Sequence, residues 1–284
     1  MKQKFDFHVH SNASDGSLSP RELVRKTAEE RLQVIAITDH DTTAGVRDAV
    51  DAGKEFGVTV IPGVEISIDF QPGTNHLCGY FIDVENDELK DGLQFVQDAR
   101  SNRNPMIVQK LNNLGIDITM PEIVEQAGGD QIGRPHFAKV LVNKGYAKDI
   151  KEAFTKYLAK GAPCYMDKLR LSLEHAVKMI RSAGGAAVLA HPAELAFDTE
   201  KQFRDYFQYA KDTGVAGIES YSSHHSPDQN AMFRRLADEL NMFSTGGSDF
   251  HGDTKPKIQL GVFGENVNIE IAELIERIKS LVTD

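Results

Sequence analysis

Histidine and carboxylate side chains recur at the ends of short apolar segments along this chain of 284 residues. The first segment, Phe5–His10, alternates apolar and polar residues, so a β-strand there places His8 and His10 on one face. The full set of such residues is His8, His10, Asp15, His40, Glu65, His76, His191, Asp249 and His251. If the apolar segments are strands of one sheet, a fold that brings their ends to a common mouth gathers all these side chains in one place.

Strand and helix patterns alternate along most of the chain. Val34–Thr38 is predicted to be a buried strand, and Ser19-Pro20 with Glu22 predicts a helix start through an N-cap, a first-turn proline and a capping box. Alternating strands and helices favour a mainly parallel sheet. About seven such units, with polar residues at the carboxyl ends of the strands, favour a closed or distorted barrel over an open sheet.

Imidazole and carboxylate groups are the side chains that hold Zn²⁺, Mn²⁺ or iron at neutral pH. Residues two apart on a strand, such as His8 and His10, lie about 6.6 Å apart along one face, near enough to bind one ion. A lone pair of this kind is weak evidence, because surface or hydrogen-bonded histidines are at least as common. The repetition of these residue types from His8 to His251 instead predicts a multinuclear metal centre.

The alternation stops between residues 88 and 168, where the patterns are helical. Candidate helices there are Leu89–Leu114, Pro121–Gln126, His136–Asn143 and Ile150–Leu158. We therefore expect a catalytic barrel built from residues 1–87 and 169–284, with a small all-helical insertion, 88–168, that covers the active site. Strand and helix patterns resume after the insertion, and Gln259–Phe263 is predicted to be a last strand.

The composition restricts the class of protein. A formal net charge of −10 argues against broad binding of duplex nucleic acid, which depends on a basic surface. The apolar stretches fall well short of the roughly 20 residues of a membrane helix, and Met1–Lys4 leads into a strand pattern rather than a signal peptide. Cys78 and Cys164 provide no disulfide framework. We expect a cytoplasmic protein with no membrane association and no obligate protein partner.

The motifs occur along residues 8–251 in the order HxH, D-G, TDHD, GVEIS, a single histidine, AHP and GSDFH. In this order they resemble the polymerase and histidinol phosphatase (PHP) superfamily. The resemblance implies a distorted (β/α)7 TIM-like barrel with two or three divalent metal ions that hydrolyses phosphate esters. Asp15 stands where many members of the superfamily have histidine. Manganese is the metal we expect, with zinc or iron as alternatives, since the same ligands accept all three.

The resemblance also assigns the nine ligands to three ions. The first ion would be held by His8, His10, Glu65 and Asp249. Glu65 would bridge to the second ion, which His76 and His191 complete. The third ion would be held by Asp15, His40 and His251. Spacing alone supports only the convergence of all nine side chains.

The resemblance extends to one subgroup through residues 132–137, which read IGRPHF and lie in the predicted insertion. Members of that subgroup remove the 3′-phosphate from nucleoside 3′,5′-bisphosphates, and related members trim RNA 5′ ends as 5′→3′ exoribonucleases. The implied partner is thus a small phosphorylated nucleotide or a short RNA 5′ end. The expected reaction is attack of a metal-bridging hydroxide on the phosphate ester, which needs no serine or cysteine nucleophile.

The substrate contacts are predicted from chemistry and position. The guanidinium of Arg134 fits a phosphate, and His136 follows it at the start of a predicted helix, where anions bind well. His225 follows a predicted strand and is assigned as phosphate contact or proton donor, a catalytic role beside that of Asp249. His224 is expected to be an exposed neighbour. Lys139 and Arg170 are further candidate cations.

Three other readings compete with this one. A histidinol-phosphate-type phosphomonoesterase would share the metal site, although the helical insertion argues against it. Amide or lactone hydrolysis usually relies on a carboxylated barrel lysine, and no lysine occupies a predicted strand end. A non-catalytic, metal-stabilised module would not need all nine ligand positions.

Overall fold

The computed structural model describes residues 3–127, 132–167, 170–265, 267 and 269–282. Seven strands form one sheet in chain order, β1 to β7. The strands are β1 Phe5–Val9, β2 Val34–Ile37, β3 Thr59–Ile68, β4 Asn75–Tyr80, β5 Ala186–Ala190, β6 Gly217–Ser222 and β7 Phe243–Gly247. The first and last strands meet, since Val9 bridges Phe250 in parallel and Asp249 N donates to His8 O over 2.9 Å. The expected distorted barrel is therefore confirmed.

Ten helices accompany the strands in the described residues: α1 Pro20–Glu29, α2 Val46–Phe56, α3 Asp87–Asn113, α4 Met120–Ala127, α5 Arg134–Asn143, α6 Ile150–Ala153, α7 Leu173–Ser182, α8 Glu200–Thr213, α9 Pro227–Glu239 and α10 Ile271–Val282. Ser19 and Glu22 form the predicted capping box of α1. A π-helical turn, Phe154–Leu158, continues α6. Within these described ranges, no helix is long and apolar enough to cross a bilayer.

Strand β4 runs antiparallel to both of its neighbours, β3 and β5, whereas the other pairs in the sheet are parallel. The expectation of a mainly parallel sheet holds for the rest of the barrel. A short connection from β3 to β4 explains the reversal, because only antiparallel strands can be joined without a long crossover. The reversal also places the start of β4, and with it His76, beside the carboxyl ends of β3 and β5.

The barrel is filled by buried aromatic and aliphatic side chains. Phe5, Phe7, Tyr80 and Phe243 belong to one core cluster inside the sheet, and the Tyr80 hydroxyl donates to Phe7 O over 2.9 Å. A second cluster packs the outer face of β3 and β5 against helices α7 to α9. These two layers fix the strands from both sides, so the strand ends have little freedom to move apart.

Helix α3 is shared between the barrel and the helices that follow it. Its first turns, with Leu89 and Leu93, pack into the barrel's outer core. Its later turns, with Ile107 and Leu111, pack with Phe137 in a separate helical core. The predicted division of the chain at 88 and 168 stays a prediction, and residue 168 lies outside the described residues.

The segment Gln259–Phe263 is irregular, with a turn at 260–261, instead of the predicted strand. Gly261 has a φ of +74°, a left-handed conformation that glycine adopts at little cost, and its N–H donates to Asp6 Oδ2 over 2.8 Å. The apolar residues Leu260 and Phe263 are nevertheless buried. The apolar pattern of this segment therefore indicates burial and not an extended backbone.

Candidate metal centre

The strand ends bring all nine predicted ligands together at one mouth of the barrel. Three overlapping groups of these residues have ligand atoms within 4.8 Å of one another. The groups are His8, His10, Glu65 and Asp249; His10, Asp15, His40 and His251; and His40, Glu65 and His76. His191 joins them, because its Nε2 lies 2.9 Å from Glu65 Oε1. The first group matches one of the ligand sets that the resemblance implied.

Glu65 lies at the centre of the cluster. It belongs to β3 itself rather than to a loop after it, and its side chain is fully buried. Its Oε2 atom lies 3.3 Å from His8 Nε2, 3.3 Å from His10 Nε2 and 2.8 Å from His40 Nδ1. This oxygen thus faces the groups expected to hold the first and third ions.

The other oxygen of Glu65 faces a different pair of rings. Oε1 lies 2.9 Å from His76 Nδ1 and 2.9 Å from His191 Nε2, and these two nitrogens lie 3.3 Å apart. A carboxylate whose two oxygens face separate sets of nitrogens has the geometry of a bridging ligand. The arrangement suits adjacent cations that share Glu65.

Asp15 and Asp249 flank Glu65 on the side of the first and last strands. Asp249 Oδ1 lies 3.1 Å from His10 Nε2 and 3.6 Å from His8 Nε2. Asp15 Oδ1 lies 3.1 Å from His251 Nε2. His10 stacks on His251 with ring centroids 4.0 Å apart. The cluster is thus continuous from one carboxylate to the next.

Strained backbone aims two of these side chains inward. His191 follows β5 with a φ of +25°, and Asp249 follows β7 with a φ of +58°. Residues other than glycine adopt positive φ values at a cost, and such residues concentrate at functional sites. Here each strained residue is held by a backbone bond: Asp249 N donates to His8 O, and His191 N donates to Glu219 Oε2 over 2.6 Å.

Among the described residues, several polar atoms of the cluster are buried and make no hydrogen bond of good geometry, although carboxylate oxygens lie near them. They are His8 Nε2, both ring nitrogens of His10, His40 Nδ1, Glu65 Oε2, His191 Nδ1 and His251 Nε2. An unsatisfied buried polar atom costs about 1–3 kcal/mol, and a ligand that takes up the lone pairs of these atoms would remove that cost. Nitrogen and carboxylate oxygen together suit Zn²⁺, Mn²⁺ or iron. The residues therefore fit a set of divalent cations.

The carboxylates of the cluster stay ionised despite burial. Burial by itself raises the pKa of Glu65, but the nearby rings of His40 and His76 outweigh it and hold that pKa well below its usual range. The same balance, with His251 as the main partner, lowers the pKa of Asp15 and of Asp249. Three negative charges, those of the buried Glu65 and Asp249 and of the half-buried Asp15, thus face one point, which favours cations there.

Burial and nearby charge have opposite net effects on the pKa values of three buried histidines. Burial lowers the pKa of His10 and His191, but neighbouring carboxylates reverse the effect and raise both values to about 9. For His40 burial prevails and lowers the pKa to about 4. At neutral pH the metal-free protein therefore carries protons on His10 and His191 that a cation must displace.

Glu219 orients two of the predicted ligands and was missed by the sequence analysis. It is buried in β6, its Oε1 lies 3.1 Å from His8 Nδ1, and its Oε2 accepts the His191 N–H. A carboxylate on Nδ1 keeps a proton there and leaves Nε2 free to bind a cation. The signal was an acidic residue inside the apolar strand segment GIESY.

Two further buried carboxylates hold the loops that carry ligands. Asp39 accepts hydrogen bonds from Ser11 Oγ over 2.7 Å and from Ser14 Oγ over 2.6 Å, which fixes the loop before Asp15. Asp6 accepts from the backbone N–H of Ser248, immediately before Asp249, over 2.8 Å. Burial raises the pKa of Asp6 to about 6 although these hydrogen bonds oppose it.

The outer oxygen of Asp249 contacts a lysine and a histidine. Lys255 Nζ lies 2.6 Å and His224 Nε2 lies 2.7 Å from Oδ2. The side chain of His224 is only 23% exposed and its Nδ1 lies 3.4 Å from Glu194 Oε1, so the expectation of an exposed neighbour is wrong. The short loop after β6 explains the error, because it turns His224 towards β7.

His225, the residue predicted to act in the site, faces a different environment. Its Nδ1 lies 3.0 Å from Asn230 Oδ1, and its ring packs edge-on against Phe233 with centroids 4.9 Å apart. Burial lowers the pKa of His225 to about 4, so the ring is neutral at physiological pH. A role in substrate contact or proton transfer stays a prediction for His225.

A cavity of about 260 Å³ adjoins the cluster and is lined by the ligands Asp15, His40 and His76. Four arginines line it as well: Arg100, Arg103, Arg134 and Arg170. Arg100 and Arg103 lie one helical turn apart on α3, a spacing that puts both on one face and was overlooked in the sequence. Because both guanidinium groups and predicted metal ligands line it, the cavity suits an anionic substrate.

The other predicted contacts have structural partners. Arg134 donates to Leu158 O over 3.2 Å and lies 5.0 Å from the centroid of the Tyr165 ring. His136 is buried, and its Nδ1 accepts from Gly133 N over 3.1 Å, which caps the start of α5. Lys139 Nζ lies 3.1 Å from Thr254 Oγ1, which ties α5 to the loop after β7.

Comparison with known proteins agrees with this geometry. The PHP domain profile matches residues 6–213. A 3′,5′-nucleoside bisphosphate phosphatase of Chromobacterium violaceum is 36% identical over 250 residues, 87% of this chain and 86% of that protein. A 5′-3′ exoribonuclease of Haemophilus influenzae is 35% identical over 251 residues, 88% of this chain and 91% of that one.

A solved structure described as an amidohydrolase from Chromobacterium violaceum, with bound sulfate and no metal, superimposes with a TM-score of 0.86. It is 32% identical, and the match covers 96% of each chain. The profile match, the relatives that align along most of their length and the shared fold all lead to one assignment. The chain belongs to the PHP domain family.

Proposed function

We propose that this metal-dependent phosphoesterase removes the 3′-phosphate from nucleoside 3′,5′-bisphosphates and also trims the 5′ ends of short RNAs. The observation that carries the proposal is one cavity that joins the nine-residue ligand cluster to a set of arginines. The names of the two relatives support the same substrates, a nucleoside bisphosphate and an RNA end.

The nine residues of the cluster would hold two or three divalent cations, with Mn²⁺ expected and Zn²⁺ or iron as alternatives. When bound, such cations lower the pKa of water and neutralise charge on phosphate oxygens. Glu65 would bridge, because its two oxygens face separate sets of nitrogens. Asp249 would bind through Oδ1, while its Oδ2 stays on His224 and Lys255.

Side chains of the protein would bind the substrate and supply a proton to its leaving group. Arg134, on the cavity wall, would contact a substrate phosphate, and His136 would hold the start of α5 beside it. The leaving alkoxide needs a proton donor. His225 is the residue proposed from the sequence, and His224 is the second candidate because it reaches Asp249.

A substrate panel tests the proposal. With Mn²⁺ present, the protein is offered adenosine 3′,5′-bisphosphate, a short 5′-phosphorylated RNA, histidinol phosphate, an amide and p-nitrophenyl phosphate. We expect phosphate release from the bisphosphate and mononucleotide release from the RNA. Preferential hydrolysis of histidinol phosphate or of the amide would refute the assignment.

Two variants test the site itself. Asp249→Ala and His191→Ala should abolish turnover and lower the number of bound cations, while circular dichroism shows a folded chain. Glu125→Gln is the control, since Glu125 is exposed and far in sequence from every predicted ligand. Unchanged phosphatase activity in Asp249→Ala would remove this residue from the mechanism.

A further inference from the structure

The four arginines of the cavity differ in what neutralises them. Arg100 Nη2 forms a buried ion pair with Asp41 Oδ2, and Arg170 Nη1 lies 3.1 Å from Asp167 Oδ1. Arg103 lies in contact with the neutral amide of Asn104, with Nη2 to Oδ1 at 2.9 Å. In the described part of the chain, no carboxylate lies within ion-pair distance of Arg103.

Arg103 is also buried, with 6% of its surface exposed. A buried guanidinium without a counter-charge is unfavourable, and neighbouring cations increase the cost. Burial first, and then repulsion from Arg100, Arg134 and Arg170, lowers the pKa of Arg103 to about 10. The guanidinium stays charged at neutral pH and has no partner of opposite sign among the residues that the structure describes.

The position of this charge indicates its ligand. Arg103 lines the same cavity as His40 and His76, so an anion bound there lies beside the metal centre and not within it. Arg134 shares the cavity, and its contacts are a carbonyl and an aromatic ring. Both guanidiniums can therefore donate to one group, and a phosphate accepts such paired donors well.

A tether fixes the distance between the two sites. Arg100 and Gln97 of α3 both bind Asp41, through its carboxylate and through its carbonyl oxygen over 2.8 Å. Asp41 is hydrogen-bonded in turn to β3. Ser67 N donates to Asp41 Oδ1 over 2.9 Å, and Asp41 N donates to Glu65 O over 2.8 Å. Arg103, one turn further along α3, is thereby held relative to Glu65.

We propose that Arg103, assisted by Arg134, binds a second phosphate of the substrate and so selects molecules that carry two phosphates a fixed distance apart. The inference rests on the proposed hydrolysis at the metal centre. It makes Arg103 the main specificity residue, because Arg100 is neutralised by Asp41 whereas Arg103 has an unmatched charge.

The experiment compares substrates with and without the second phosphate. Steady-state kinetics of the Mn²⁺-loaded protein are measured on adenosine 3′,5′-bisphosphate, adenosine 3′-monophosphate and p-nitrophenyl phosphate. We expect Arg103→Gln to lower kcat/KM on the bisphosphate about 10- to 100-fold more than on either monophosphate, as for a lost hydrogen bond to a charged group. Arg103→Lys should recover part of the loss, because lysine keeps the charge but not the paired donors.

Two measurements separate this role from a structural one. Thermal unfolding of Arg103→Gln should occur at the wild-type temperature or above it, since the change removes an unmatched buried charge. Arg25→Gln, at an exposed arginine of α1, is the control and should change neither the kinetics nor the unfolding temperature. Equal losses on all three substrates, or a lower unfolding temperature, would overturn the inference.

Failure of the proposed function has a different signature. If no substrate is turned over, the proposed hydrolysis fails, and calorimetric binding of adenosine 5′-monophosphate to the Mn²⁺-loaded protein still tests Arg103. Tighter binding of the nucleotide than of adenosine, with the difference lost in Arg103→Gln, supports the second phosphate site. Equal binding by wild type and Arg103→Gln overturns it.

Discussion

Replacing Glu219 by glutamine should weaken cation binding without removing any predicted ligand. Glu219 accepts from His191 N through Oε2 and contacts His8 Nδ1 through Oε1. Glutamine keeps one acceptor oxygen, which the His191 N–H requires, and then presents its NH₂ group to His8. The His8 Nδ1 atom must then accept, so its proton moves to Nε2, the atom that lies 3.3 Å from Glu65 Oε2.

A proton on His8 Nε2 competes directly with a cation. Loss of an outer carboxylate partner typically lowers metal affinity about 10- to 100-fold, which corresponds to about 1.4–2.7 kcal/mol. Titration of Mn²⁺ against a chelating dye measures the affinity, and elemental analysis gives the number of bound ions. Glu125→Gln, at an exposed position, is the matched control. An affinity of Glu219→Gln equal to that of the control would refute the tautomer argument.

Three further predictions concern pH and stability. The pKa values of His10 and His191 are raised to about 9, so the contribution of these residues to the stability of the metal-free protein is complete below about pH 6.5 and is lost as pH rises through 9. Protons compete with Mn²⁺ for the same nitrogens, so the apparent Mn²⁺ affinity should rise over that pH window. Calorimetry in two buffers measures the protons released on binding. Asp41→Asn breaks the buried pair with Arg100 and should cost about 3–5 kcal/mol in urea unfolding, whereas a cost below 1 kcal/mol would contradict it. Gly63→Ala would place a Cβ 2.8 Å from Ile37 O and should cost about 1–3 kcal/mol by the same assay; wild-type stability would show that the backbone there can move.

Local signals in the sequence located most elements of the fold. The capping box at Ser19 and Glu22 sets the start of α1, and the alternating segment Phe5–His10 forms β1. These signals act between residues within one turn or one strand, so they can be recognised without knowing which distant residues pack against them. The prediction of a strand at Gln259–Phe263 was wrong because apolar residues indicate burial, and a buried segment need not be a strand.

The candidate site was predictable only in part. The nine predicted ligands are of residue types that rarely cluster without a reason, and the structure brings them to one mouth of the barrel. Glu219 and Arg103 were missed because each is a single charged residue whose meaning depends on partners far along the chain. His224 was misjudged because the turn after β6 decides which of two adjacent rings reaches Asp249.

The order of amino acids alone was enough to predict the alternation of strands and helices, the set of nitrogen and oxygen ligands and the resemblance to the PHP superfamily. The reversal of β4, which places His76 beside Glu65, and the identity of the carboxylates behind the ligands became evident from the folded chain. The difference arises from the separation along the chain of the residues that interact. Caps and strand periodicity arise from contacts a few residues apart, whereas tautomers, bridging oxygens and unmatched charges are set by side chains that meet across the barrel mouth from distant strands.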